Sequence, residues 1–520
     1  MKLTKERLYQ ILSDRFKEGF LRLSQLPKPD TLKDMDKAAK RIARAIHDKE
    51  RIALVGDYDV DGVVSTALMK EFFEIIDYPL QSIIPNRFRH GYGISPMVIE
   101  ELGDVDLIIT VDNGIGAMEA ARYCQKKGID LIITDHHTPS HSLPQAYAIV
   151  NPKQEACTFA YEEICGAQVA WFLIAQLKKE LGLDLDMRRF LDLLTIAIIA
   201  DVMPLRHINR ALVQAGLQMF ERSERPAVKF LRSILKKNSF ASDDIGFGIA
   251  PVLNSAGRME DAKVALDFLT AKDFFEASLY YARLLAFNTK RKQEEKRVFE
   301  ESLAYVEDSP IILSIGEDWN EGVVGIVASR LVDRYQKPAL VLTKKGALYK
   351  GSGRSLGEVD LYALLAQSSD LLERFGGHKK AAGLAVQAKN IEALRTRLIG
   401  LAQKIPKEHF VLDEEVLGEL DFDQIDWELI DILEAFAPYG ESNPMPKFLA
   451  KNVEILEQRM VGEHKDHLLL TLCQKGRTFK AIQFRCEKEP QKSQIDIIYQ
   501  PIKNIYNNNI YIQLFINKIV

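Results

Sequence analysis

Along the first third of the chain, apolar positions come in short unbroken runs, each followed by a segment of helical period. RIALV (51–55) leads to the turn GDYDVDG and then to VVSTALMKEFFEII. LQSII (80–84) precedes a loop, NRFRHGYG (86–93), and a helix opened by Ser95-Pro96. DLIITV (106–111) runs to Asp112 and on into amphipathic AMEAARYCQKK, and DLIIT (130–134) runs to Asp135. Continuous Val/Ile/Leu runs separated by helices predict a parallel sheet covered on both faces. A helix-rich stretch (166–307) follows and ends in a long, highly charged helix, NTKRKQEEKRVFEESLAYVE, which reads as a bridge between domains. From Pro310 a second α/β pattern starts with IILSI, the helix GIVASRLVDRY, the strand PALVLT and two glycine-rich stretches that read as loops. Residues 406–447 read as a connector with a Pro/Gly-rich end, PYGESNPMP. From Phe448 the runs HLLLTL, TFKAIQF, IDIIY and IYIQLFI predict a small β-barrel or sandwich.

The chain has 520 residues, too many for one core, so about two to four domains are expected. Lysines and arginines number 69 against 73 acids, a net charge of −4, so a nucleic-acid partner would have to be held by local basic patches. The five cysteines (124, 157, 165, 473, 486) have no CxxC spacing and read as reduced thiols. The N-terminus has no apolar signal region, and the most apolar run (190–205) carries Asp192 and Asp201 and is too short to span a bilayer. A cytoplasmic protein without membrane association is expected.

Three predicted strands finish in acids or imidazoles, at GDYDVDG, VDNG and DHH, and Asp201 closes the apolar helix TIAIIA. Each has an ordinary structural reading. Asp61 could cap the following helix, VDNG could be a tight turn, and Asp135 could cap a solvated His136–His137 turn. Ligands of open parallel sheets, however, bind at the carboxyl ends of the strands. Carboxylates gathered there repel one another unless cations sit among them. A set of carboxylates and neutral imidazole without thiolate suits Mn²⁺ or Mg²⁺, and one acid bridging two ions is the arrangement that activates water for attack at phosphorus.

DYDVDG, VDNG, DHH and the later Asp201 resemble the four motifs of the DHH phosphoesterase superfamily. The resemblance implies that Asp57 and Asp59 each hold one of two metal ions and that Asp112 bridges both. It implies that His136 and Asp201 complete the second ion's shell, that His137 lies beside the scissile phosphate, and that Asp135 orients the histidine pair. IALVG (52–56) lacks the histidine that some members carry before the first acid, so the first ion is expected to be held more loosely.

Three regions bear on the substrate. NRFRHGYG carries Arg87, Arg89, His90 and Tyr92. KGSGRSLGEVD (350–360) and ERFGGHKKAAG (373–383) carry Ser352, Arg354, Ser355, His378 and Lys379, and VLNSAGRME (252–260) adds Asn254 and Arg258. Small residues let backbone N–H groups approach an anion, and arginine binds phosphate in two-pronged fashion. The C-terminal part interleaves Arg459, His464, Lys465, His467, Arg477, Phe479, Lys480, Phe484 and Arg485, as small barrels do when they hold single strands.

Over essentially its full length the chain is similar to RecJ-type single-strand-specific DNA exonucleases, most particularly at DWNEGVVGIVASRL (318–331) and PYGESNPMPKF (438–448). The similarity implies an N-terminal helical segment (1–47), a parallel-sheet DHH catalytic domain (48–210), and a helical region with the connecting helix (211–305). It further implies a smaller α/β DHH-associated domain (306–405), a connector (406–447) and an OB-like β-barrel (448–520). It also implies metal-dependent 5′→3′ release of mononucleotides from single-stranded DNA in repair and recombination. Arg87, Ser352 and Arg354 become the candidate 5′-phosphate pocket, and helicase and single-strand-binding-protein partners are expected. Two rivals remain: a DHH phosphodiesterase for short oligonucleotides or cyclic dinucleotides, which needs neither the barrel nor the long helix, and a non-catalytic single-strand-binding scaffold, which has no use for intact motif acids.

Overall fold

In the computed structural model, β1 (Ile52–Val55), β2 (Leu80–Ile83), β3 (Leu107–Val111), β4 (Asp130–Thr134) and β5 (Ala148–Val150) pair in parallel, in the order β2-β1-β3-β4-β5. The structure describes all residues except 1, 238, 412–414, 463–464, 487 and 507–508, together with the side chains of 505 and 506. His464, one of the barrel bases named above, therefore lies outside the described residues. Successive strand residues face opposite sides. Leu54, Ile109 and Ile132 enter a large core beneath helices Val60–Ile75 and Gly166–Glu180, whereas Val55, Ile108 and Ile133 enter a second core on the other face. Burial on both faces is why these strands read as unbroken apolar runs.

The charged stretch before residue 307 lies in one 29-residue helix, Phe274–Ser302. Its first half buries Ala277, Tyr281 and Leu284 in the core of the parallel-sheet domain, and its second half buries Val298 and Phe299 in another. Between them, ion pairs such as Arg291–Glu295 (2.6 Å) and Arg297–Glu301 (2.9 Å) lie along the helix. The bridging reading is thus realised physically.

The second sheet is mixed. β6 (Ile312–Gly316), β7 (Ala339–Lys345), β8 (Leu348–Arg354), β9 (Leu372–His378) and β10 (Ala381–Gln387) run in the order β6-β7-β8-β10-β9, with only β6 and β7 parallel. The two glycine-rich stretches expected to be loops are largely strands. A Cβ on Gly351 would stand 2.0 Å from the Val341 carbonyl oxygen, and one on Gly353 would stand 2.6 Å from Leu361. These glycines serve close approach within the sheet.

The last sheet contains β11 (Val416–Glu419), β12 (Lys447–Val461), β13 (His467–Gln474), β14 (Arg477–Phe484), β15 (Gln494–Tyr506) and β16 (Asn509–Ile519). β12 pairs with both β13 and β15, which closes a five-stranded barrel, and β11 adds alongside β12. The barrel core extends well beyond residues 448–520. Leu8, Leu12 and Phe16 of the N-terminal segment pack into it, as do Phe422, Leu429 and Leu433 from the expected connector. The N-terminal residues 1–47 are accordingly shared, because helix Lys5–Asp14 joins the barrel while helix Met35–His47 joins the core of the parallel-sheet domain. Phe479 packs half-buried against Phe422, while Phe484 is exposed beside His467 and Phe515. Residues 437–444 form a strap held from both sides: Arg210 and Arg206, of the parallel-sheet domain, donate to the Ala437 carbonyl (2.8 Å) and the Ser442 carbonyl (2.8 Å), and Arg15, at the end of the barrel's helix Lys5–Asp14, donates to the Pro444 carbonyl (2.6 Å). Among the described residues no helix is long and apolar enough to cross a membrane.

Candidate metal centre

Asp57 and Asp59 leave β1 on a turn that becomes helix Val60–Ile75. Asp59 caps this helix, accepting from the Gly62 N–H at 3.1 Å. The cap expected at Asp61 is therefore Asp59. Asp61 lies buried in the first turn, and its carboxylate accepts from the Gly166 and Ala167 N–H groups (2.6 and 2.8 Å) at the start of the next core helix. A Cβ on Gly62 would fall 2.6 Å from the Asp57 backbone, so only glycine lets the helix start this close. Asn254 accepts from the Val60 N–H (3.1 Å), and a Cβ on Gly257 would fall 2.2 Å from the Tyr58 carbonyl oxygen. Helix Ala250–Met259 thus braces the turn, and Asn254 acts through the protein backbone.

Asp112 ends β3 in the left-handed region (φ 61°), an unfavourable conformation for a non-glycine residue. Its neighbour Asn113 holds it there. The buried carboxamide donates to the carbonyls of Val55, Gly56 and Val111 (2.9–3.1 Å) and accepts from the Ile94 N–H (3.0 Å). A Cβ on Gly166 would stand 2.5 Å from the Asp112 carboxylate. At the end of β4, Asp135 is buried and accepts from the N–H groups of Ile115, His136 and His137 and from His137 Nδ1 at 2.7 Å. Burial disfavours protonated His137, but the bond to Asp135 outweighs it and raises the imidazole to about 9. Burial holds neighbouring His136 below its usual range. Asp201 is the C-cap residue that follows helix Leu191–Ala200.

These side chains converge. His136 Nε2 lies 3.2 Å from Asp112, 3.6 Å from Asp61 and 3.7 Å from Asp201. Potential ligand atoms of Asp57, Asp59 and Asp112 lie within 4.8 Å of one another, as do those of Asp61, His136 and Asp201 and those of Asp112, His136 and His137. Asp57 Oδ1, Asp112 Oδ1 and Asp201 Oδ2 are buried without a hydrogen-bond donor, the contact of Asp112 to His136 lacking the alignment of a hydrogen bond. Burial and neighbouring carboxylates push Asp57, Asp112 and Asp201 well above the usual carboxylate range. Divalent cations would reverse that penalty, so the residues fit a two-ion centre. Asp57 and Asp59 both lie near Asp112, the acid expected to bridge the two ions. Asp61, read from the sequence as a cap, belongs to the second group. The third acid of DxDxDG was its only signal.

Four arginines gather beside the centre, from the loop after β2, the helical region and the second sheet. The Arg87 guanidinium lies 4.3 Å from the Tyr58 ring centroid, and its Nε has no partner. Burial and then the positive charges of Arg87, Arg291 and Arg354 push buried Arg258 down to about 10. Arg258 also donates to the Gly322 carbonyl at 3.1 Å. A Cβ on Gly325, in helix Val324–Tyr335, would stand 3.1 Å from Arg354 Nη2 and 3.5 Å from Ser352 Oγ. Arg291 is paired with Glu295, whereas Arg87, Arg258 and Arg354 have no ion-pair partner among the described residues, and these cations around small residues form an anion pocket. Ser355 stands apart from it, bonded through its N–H to Lys380 O (2.9 Å) and through its hydroxyl to Val359 O (2.8 Å). His378 is exposed on the edge strand β9, across β10 from Arg354.

A phosphoesterase-type α/β domain, an associated mixed-sheet domain and an OB-like barrel define the class, and three family models match accordingly. The DHH family N-terminal domain matches residues 51–198, the DHHA1 domain 307–404 and the RecJ OB domain 418–518. Single-stranded-DNA-specific exonuclease RecJ of Haemophilus influenzae is 31% identical over 96% of this chain and 92% of that protein. The Bacillus subtilis protein of the same name is 35% identical over 94% of this chain, which spans 63% of its length. The crystal structure of RecJ in complex with Mn²⁺ from Thermus thermophilus superposes with a TM-score of 0.83 at 28% identity, covering 94% of this chain and 72% of that one. The chain belongs to the RecJ family.

Proposed function

We propose that this protein is a metal-dependent exonuclease that degrades single-stranded DNA from the 5′ end, releasing 5′-mononucleotides. One observation carries the reading: Asp57, Asp112 and Asp201 each bury a carboxylate oxygen without a hydrogen-bond donor, and Asp112 links the two groups, close to Asp57 and Asp59 on one side and 3.2 Å from His136 on the other. Asp57, Asp59 and Asp112 would hold one Mn²⁺ or Mg²⁺. His136 and Asp201, with Asp61 and the shared Asp112, would hold the other. Such ions, when bound, make water nucleophilic near neutral pH and neutralise charge developing on phosphorus oxygens.

The chain's own groups do the rest. Asp135 accepts from His137 Nδ1 and so orients its half-exposed ring at the edge of the cluster, where it can meet an oxygen of the scissile phosphate. Arg87, Arg354 and Ser352 bind the terminal 5′ phosphate and set the polarity, with buried Arg258 adding positive potential. Cys165, buried near Asp61 with its thiol pushed well up by burial, supplies neither nucleophile nor ligand. The barrel, with Phe484 exposed beside half-buried His467, holds the strand that waits to be cut.

The test is Asp112→Ala, assayed with Mn²⁺ on end-labelled, 5′-phosphorylated single strands, duplexes, RNA and a cyclic dinucleotide. Cleavage of single-stranded DNA should fall about a thousandfold or more, while strand binding persists. Undiminished cleavage, or a wild-type preference for the cyclic dinucleotide, would overturn the reading.

A further inference from the structure

Next to Asp201 a cavity of about 460 Å³ opens between the catalytic domain, helix Val324–Tyr335 and the strap. Two of its walls are unusual. Val202, the residue after Asp201, has φ 55° and is 62% exposed. A helix that ends in the left-handed region normally places glycine there, and a β-branched residue is strained. Phe247 is 81% exposed and sits on a π-helical turn, Asp244–Ile249, a widened coil that recurs at functional sites. Strain and an exposed aromatic ring facing one cavity are retained where they serve a ligand. At one end the cavity is bounded by Arg258 and Arg291, and on another side by Tyr439 of the strap, which leads directly into β12.

We propose that this cavity is a base-holding subsite, in which Phe247 stacks on the nucleobase just 3′ of the scissile phosphate and Val202 closes its other side. The proposal rests on the exonuclease reading and adds a residue-level determinant to it. The occupant follows from continuity. One wall begins at a candidate metal ligand, so the cavity adjoins the phosphate that is cut, while the strap wall leads toward the barrel from which the strand arrives. Mostly apolar walls with cations at one end suit a flat aromatic base joined to a phosphodiester. Ser242, Asp243, Asn254 and Glu441 also line the cavity, but stacking on Phe247 uses the face that every base has, so the subsite should accept every base and require only that one be present.

The experiment uses the full chain with Mn²⁺ and 5′-phosphorylated single strands bearing one abasic unit at the first, second or third nucleotide. For wild-type protein, an abasic unit at the second position should lower kcat/KM about tenfold, and the other positions should matter less. Phe247→Ala, at an exposed position that leaves the core intact, should lower kcat/KM on the intact strand by about the same factor, mainly through KM, and should no longer distinguish that strand from the second-position abasic one. Phe247→Tyr should restore the wild-type pattern. If Phe247→Ala cleaves like wild type, or if the abasic effect falls at another position, the subsite assignment is wrong while the exonuclease reading stands. If wild-type protein cleaves no polynucleotide, both fall.

Discussion

Asp112 concentrates the strain of the metal centre in one residue. It is buried, left-handed in backbone and crowded by acids, and it is held by a neighbour, Asn113, whose carboxamide meets four backbone groups. Its carboxylate is also packed against Gly166, where no side-chain atom fits. Gly166→Ala should therefore displace the Asp112 carboxylate without removing any ligand. Mn²⁺ affinity measured by calorimetry should fall about tenfold or more, and cleavage should fall with it, while the far-ultraviolet circular dichroism is kept. Wild-type Mn²⁺ affinity in that variant would mean that Gly166 plays no part in shaping the site. The residue types of this centre were legible in the chain at GDYDVDG, VDNG, DHH and Asp201. Their grouping was not, because Asp61 is fixed by the N–H groups that open helix Gly166–Glu180 and His136 by the end of β4, segments far apart along the chain.

Among the elements, β8 contributes most to the substrate side. Its strand geometry turns Ser352 and Arg354 toward Gly325, while Ser355, one residue later, bonds back to Val359. Alternation along the strand thus puts Ser352 and Arg354 on one side, while Ser355, just past its end, stabilises the turn. Arg354→Ala should slow cleavage of 5′-phosphorylated strands about tenfold or more and leave 5′-hydroxyl strands nearly unaffected, as measured by initial rates on paired substrates. Equal losses on both would remove the terminal-phosphate role. The glycines of this region read as loops in the sequence because glycine punctuates turns so often. In the folded sheet their lack of a side chain admits Val341 and Leu361.

At the scale of the whole molecule, the two ends of the chain share one core: Leu8 and Leu12 from the beginning pack with Phe448 and Leu514 near the end. The strap, pinned by Arg15, Arg206 and Arg210, then sets the barrel against the catalytic domain. Strand length should decide how much the barrel matters. Phe484→Ala, which removes an exposed ring beside His467, should weaken binding of long single strands about tenfold in a fluorescence titration and leave hydrolysis of a trinucleotide unchanged. Undiminished long-strand affinity would place the strand on another face of the barrel.

By itself, the order of apolar runs determined the parallel sheet of the first domain, the bridging helix, a second α/β domain and the C-terminal β-rich unit. Those follow from local periodicity and from burial on one or both faces, which each segment carries in its own residues. The motif spacings likewise marked the acids and histidines at the strand ends. Only the tertiary structure decided that Asp61 joins His136 and Asp201, that the first helix belongs to the last domain, and that Val202 and Phe247 face one cavity. Such pairings depend on where distant segments come to rest against one another, and no local pattern of polar and apolar positions records that.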